Sequence, residues 1–220
     1  MVLPENELKI GAEDTYFRSF YMSRKLILKS FSRDDLSDCQ NCPFEKNNKI
    51  WGEGNFGGIC FIGEAGGRDE DVKKRPFVGI AGKLLTEGLA VAKINRYDNW
   101  VTNVVTARPP NNNFHHPSTI KARECCLHGL KKEIAYVVSK GVRVLVPLGS
   151  NASRSIGLEF ERMGQICGEI YRDSFFGFTD LWVIPNYHPS YLARNGGKDS
   201  PQLNYWIKNF VKVTNFLKQR

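Results

Sequence analysis

Short apolar runs alternate along the chain with longer stretches whose apolar residues recur at helical spacing. The run Ile59-Cys60-Phe61-Ile62 stops at Gly63, as a strand buried on both faces does. Residues 79–94 then repeat apolar side chains with the period of an amphipathic helix. Residues 100–105 read as a second strand, halted before Arg108-Pro109-Pro110, and helical character resumes over 118–139 after a Pro117-Ser118 start. Val142 to Leu148 is the clearest buried strand, and Gly149-Ser150-Asn151 opens another helix. A strand over 181–185 leads into His188-Pro189-Ser190, and residues 201–218 read as a last helix. Upstream, residues 20–31 predict an amphipathic helix with a stop and re-cap at Ser32-Arg33-Asp34-Asp35, and 39–58 is polar and glycine-containing.

Strands alternating with helices predict an α/β fold with a parallel sheet covered on both faces. Ligands of such folds bind beyond the carboxyl ends of the strands. The residues expected there are Gly63-Glu64, Asn103, Gly149-Ser150 and His188.

Composition narrows the class. The 220 residues are 41% hydrophobic and 12% aromatic, which excludes wholesale disorder. No apolar run approaches the roughly 20 residues that span a bilayer, and the first residues lack a basic segment followed by an apolar one. The expectation is a cytoplasmic protein with no membrane partner. A net charge of +8 suits a polyanion such as nucleic acid, and equally a surface that keeps the protein soluble. Six cysteines are too few for a disulfide scaffold and read as thiols, metal ligands or core residues. Cys39 and Cys42 form a C-x-x-C, Cys125 and Cys126 are adjacent, and Cys60 and Cys167 stand alone.

Taken together, CQNCPF at 39–44, GEGN at 52–55, GEAGGRDEDVKKRPFVGIAGKLL at 63–85, TNVVTARPPNNN at 102–113, VLVPLGSNA at 144–152 and VIPNYHPSYLARN at 183–195 resemble the uracil-DNA glycosylase superfamily, most closely its iron–sulfur family 4. The resemblance runs over roughly residues 36–218. It implies a three-layer α/β/α domain over 36–220, with a central, mainly parallel four-stranded sheet, preceded by a helical extension over 1–35. It also implies a monomeric DNA-repair hydrolase that flips uracil from single- or double-stranded DNA and leaves an abasic site.

The chemistry asks for base recognition, stabilisation of a departing anionic base, and a water at the sugar. Asn103 offers a donor and an acceptor that match uracil O4 and N3–H and mismatch cytosine. Phe77 would stack on the flipped base. His188 would donate to uracil O2 as charge develops there. Where the superfamily's best-known branch has an Asp, this chain has Ala65, so Glu64, backbone groups, or both would hold the water. Glu70 reads either as a group at the uracil C5 edge or as a solvated helix cap. Asn111, Asn112 and Arg108 would reach substrate or phosphate, Gly149 and Ser150 would offer backbone N–H groups to a phosphate, and Ser190, Leu192 and Arg194 belong to a DNA-binding loop with Leu192 as a wedge. Arg68, Lys73, Lys74 and Arg75 would add positive charge at the pocket mouth.

The family's [4Fe–4S] cluster takes four Cys. Cys39, Cys42 and Cys126 match; the position before Arg-Pro-Pro is Ala107. Cys125, His115 or His116 as substitute, a labile three-ligand cluster, and no cluster all remain open. No nucleotide cofactor is implied. Gly66 stands where the family usually has Pro. These departures keep two alternatives in view, a non-catalytic uracil-DNA-binding accessory protein and a covalent uracil-DNA trap through His115 or His116.

Overall fold

The apolar runs of the sequence become the middle of a 7-stranded sheet in the computed structural model, which describes residues 29–31 and 42–219. Strands β3 (Ile59–Ala65), β4 (Trp100–Val105), β5 (Val144–Pro147) and β7 (Trp182–Val183) run parallel in the order β4-β3-β5-β7. The expected parallel core is therefore present, but the sheet is larger than four strands. β1 (Lys29–Phe31) and β2 (Gly52–Gly54) extend it antiparallel beyond β4, and β6 (Tyr171–Arg172) closes the β7 edge. Gly52-Glu53-Gly54 carries no apolar alternation that would announce a strand. Backbone pairing with Trp100 and Val101 makes it one. Residues 29–31, the end of the helix expected over 20–31, are strand because they pair with β2; residues 20–28 and Ser32–Asp35 lie outside the described residues.

Among the described residues, six α-helices cover the sheet: α1 (Arg68–Lys73), α2 (Ile80–Val91), α3 (Pro117–Ser139), α4 (Ser150–Ser155), α5 (Pro189–Arg194) and α6 (Leu203–Lys218). Alternation along β3 divides the core, as the two-residue period of a strand requires. Ile59 and Phe61 pack with Leu85, Leu89, Trp206 and Phe210 from α2 and α6. Cys60 and Ile62 pack with Leu130 and Ile134 from α3. Fully burying each such side chain contributes about 1.5–3 kcal/mol. On α3, the buried Glu133 accepts from Trp100 Nε1 at 2.7 Å and Thr102 Oγ1 at 3.2 Å, which ties the helix to β4. Among the described residues no helix is long and apolar enough to cross a membrane.

Candidate active site

The site grows from the register of two strands. Gly63 at the end of β3 lies beside Asn103 of β4. A Cβ on Gly63 would stand 2.3 Å from Asn103 Oδ1 and 2.5 Å from Phe77 Cζ. Only glycine lets the amide and the ring converge over the strand end. They face a pocket of about 230 Å³ at the carboxyl ends of the parallel strands. Glu64, Ala65 and Gly66 form one wall, and Pro109, Asn112 and Phe114 another. His188, Ser190 and Arg194 come from the start and end of α5. Thus Glu64, Ala65, Glu70, Phe77, Asn103, His188, Ser190 and Arg194 meet in one place, with Gly63 directly beneath.

Phe77 is buried and has φ +53°, a left-handed conformation that costs a non-glycine residue roughly 1–2 kcal/mol. Its ring centre lies 6.0 Å from that of His188. Glu70 lines the pocket, but its carboxylate is engaged: Oε1 accepts from Val78 N (2.9 Å) and Gly79 N (2.7 Å), and Oε2 from Gly67 N (3.0 Å). Of the two readings of Glu70, the geometry supports the cap, and the cap reaches further than α1 because it also fixes the turn after Phe77.

His188 caps α5. Its Nδ1 accepts the Ser190 backbone N–H at 3.1 Å and lies 2.7 Å from Ser190 Oγ. A backbone N–H can only donate, so Nδ1 is unprotonated and the neutral ring carries its proton on Nε2. Burial pushes the imidazole's pKa below its ordinary value and Arg194 adds to this, against the opposing fields of Glu64 and Glu70. Glu64 accepts from Asn151 Nδ2 of α4 at 2.8 Å. Sequence reasoning had used Asn151 only as part of a helix start. It also missed Asn186, whose Nδ2 donates to Trp206 O (2.9 Å) and whose Oδ1 accepts from Asn209 Nδ2 (3.1 Å). Trp206 Nε1 in turn donates to Tyr187 O, so the segment that delivers His188 is fastened to α6. Long-range partners of this kind leave no local pattern in the chain.

Several expected contacts fall elsewhere. Leu192 is fully buried in the core against α2 and α6, so it cannot be a wedge. Asn112, not Asn111, lines the pocket, and its Oδ1 accepts from Arg108 Nε at 2.8 Å. The Gly149 N–H goes to Asn186 O, so that amide is not offered to a phosphate; with φ +87°, the glycine instead permits close approach to His188 Cβ. Ser150 starts α4 outside the pocket lining. Arg75 is held by Glu53 through two contacts of 2.8 Å, which neutralises it; Arg68, Lys73, Lys74 and Arg194 are exposed, with Arg68 3.9 Å from Asp69.

The residues matched to cluster ligands gather on the α3 side of the sheet. Cys42, Ala107 and Cys126 belong to one buried group, with Cys125 packed against it. Cys42 Sγ accepts from Phe44 N at 3.5 Å, and Cys126 Sγ lies 3.7 Å from Thr106 Oγ1. Cys39 lies outside the described residues, and no group of three His, Cys, Asp or Glu among the described ones is arranged to hold a metal ion. The described donors by themselves do not complete a four-thiolate set. His116 caps α3 through Nδ1, the same arrangement as at His188, and His115 is exposed.

A parallel sheet whose strand ends bring a buried amide, an aromatic ring and a neutral imidazole to one pocket defines a class of base-binding α/β enzyme. The chain belongs to the uracil DNA glycosylase superfamily, whose family model matches residues 52–211. It is 38% identical over 163 residues to a type-4 uracil-DNA glycosylase of Archaeoglobus fulgidus, covering 71% of this chain and 78% of that one. It is 35% identical over 192 residues to the type-4 uracil-DNA glycosylase of Thermotoga maritima, covering 84% and 92%. The protein of the same name from Saccharolobus solfataricus is 34% identical over 170 residues, covering 74% and 76%.

Proposed function

We propose that the protein is a DNA-repair glycosylase that removes uracil from DNA as a monomer, with residues 36–220 as the catalytic unit and residues 29–31 adding to the sheet edge. The observation that carries this reading is the convergence of Asn103, Phe77 and the Nε2–H form of His188 on one pocket. A flipped uracil would stack on Phe77 and pair with the Asn103 amide. As the N1–C1′ bond breaks, its electron pair moves onto the base, and His188 Nε2–H donates to the developing charge at O2. A neutral donor of this kind, fixed in advance, stabilises the transition state more than the ground state. Water held by Glu64 adds to C1′ and gives its proton to that carboxylate. Solvent returns a proton to the released base. Arg68, Lys73, Lys74 and Arg194 attract the phosphates, so binding weakens with salt.

The reading extends to the cysteines. Cys39, Cys42 and Cys126 hold a [4Fe–4S] cluster, with Cys125 taking the place of the thiol absent at Ala107. The cluster is assigned to folding of the α3 side, and no step of the reaction passes through it. Iron and sulfide analysis of anaerobically purified protein tests this, and an iron-free active enzyme would remove it.

The activity itself is tested by incubating uracil-containing single-stranded and duplex oligonucleotides with the protein and then with alkali. Strand cleavage is expected. Tight binding without cleavage would favour an accessory protein, and an adduct that survives denaturation would favour a covalent trap.

A further inference from the structure

Arg96 is a buried guanidinium in the turn that enters β4. It donates to Pro76 O at 2.8 Å, to Phe77 O at 2.8 Å and to Thr86 Oγ1 at 3.0 Å. Its hydrogen-bond partners among the described residues are thus neutral oxygens. A buried cation held in this way is costly to a fold and calls for a role. The segment it grips is Pro76–Gly79, where Phe77 takes a left-handed conformation. Arg96 grips the carbonyls before and at that residue, and Glu70 grips the amides of Val78 and Gly79 just after it. Gly82 closes the third side, since a Cβ there would lie 1.9 Å from Phe77 O. The ring that faces Asn103 and His188 therefore has its backbone locked on both flanks by opposite charges.

We infer that Arg96 is a positioning residue for base binding: with Glu70 as counterpart, it clamps the Pro76–Gly79 turn so that Phe77 presents its ring to the flipped base. The inference rests on the proposed glycosylase reading and names how that site holds its substrate. Arg96 touches no substrate, and its effect passes through Phe77. Lysine in its place would lose the planar fork that reaches two successive carbonyls at once.

The test is a double-mutant cycle on the full chain, with Arg96→Ala, Phe77→Ala and the pair, and with Arg96→Lys as the milder variant should Arg96→Ala not fold. Three quantities are read: kcat on uracil-containing single strands, inhibition by free uracil, and affinity for undamaged single-stranded DNA. Arg96→Ala is expected to lower kcat about 10- to 100-fold through misplacement of the ring. It should weaken uracil inhibition about tenfold and leave affinity for undamaged DNA unaltered. Arg96→Lys should fall between. In the Phe77→Ala background, Arg96→Ala should weaken uracil inhibition no further. A purely structural role would lower the active fraction and leave the uracil inhibition constant where it was. That result, or full additivity with Phe77→Ala, would overturn the inference. If the wild-type chain leaves every uracil substrate intact, the glycosylase reading fails separately. Amide exchange at Val78 and Gly79 then decides the clamp, which predicts faster exchange there in the folded variant and unchanged exchange in β3.

Discussion

The Asn151 side-chain amide donates to Glu64 Oε2 across 2.8 Å, joining the first turn of α4 to the end of β3. One carboxylate oxygen is thereby fixed in direction, and in the proposed reaction the other holds water at the sugar. A hydrogen bond to a charged group is worth about 1.5–3 kcal/mol. Asn151→Ala should lower the single-turnover rate about tenfold with little change in DNA affinity. Asn151→Asp should lower it further, because a second negative charge would face Glu64. Equal rates for all three proteins would remove Glu64 from the water's path.

The protonation state of His188 gives a pH prediction. Burial lowers its pKa from the ordinary 6.5, so the acid limb of kcat/KM should lie below that value. The working form is neutral, hence activity should be flat through neutrality and fall as acid protonates Nδ1 and breaks the α5 cap. Stability should follow the same sign, because the unfolded chain takes up the proton first; the contribution is complete above 6.5 and is lost as the pH drops through the folded value. His188→Ala should cost about 10²–10³ in kcat and abolish this limb. An acid limb above 6.5 in the wild type would contradict the assignment.

Gly63 offers a steric test. A methyl group there would collide with both Asn103 Oδ1 and the Phe77 ring. Gly63→Ala should fold, with its displacement confined to the strand end, and lose about 100-fold or more in activity through misplaced recognition groups. Wild-type activity in a folded Gly63→Ala protein would mean that the two side chains do not recognise the base in this arrangement.

The parallel core and its strand-end site were legible because buried strands announce themselves as apolar runs, and because Gly63-Glu64 and Asn103 sit toward the ends of two of them while His188 lies shortly after a third. What escaped depends on contacts distant in the chain. β2 is Gly-Glu-Gly and gains its shape from β4, and β1 overrides a helical pattern by pairing with β2. Arg96, Asn151 and Asn186 carry no local signature, since each acts through a partner ten or more residues away. Leu192 was misread because a leucine in a DNA-contacting loop and a leucine on the inner face of a short helix look alike until α5 is docked on the core.

Leu192 therefore makes its own prediction. It is fully buried, so Leu192→Ala should destabilise the fold by about 2–5 kcal/mol. Chemical unfolding would register this as a lower midpoint with an unchanged slope. Affinity for undamaged duplex should be retained by the protein that remains folded. A variant with wild-type stability and weakened duplex binding would restore the wedge.

Ala107 is buried on the same patch as Cys42 and Cys126, at the sequence position where the resemblance expects the remaining thiolate. A methyl group cannot ligate iron, and Cys125, directly before Cys126 on α3, packs against the same buried group. Ala107→Cys would supply a thiol at the position where the resemblance expects one. Anaerobically purified Ala107→Cys protein should hold at least as much iron and sulfide per chain as the wild type, and its visible absorption should persist longer in air, as expected of a cluster with four thiolates. Cys125→Ala should bleach faster in the wild-type background and have little effect beside Ala107→Cys. If Cys125→Ala leaves the wild-type spectrum and its lifetime unchanged, Cys125 is not the substitute ligand.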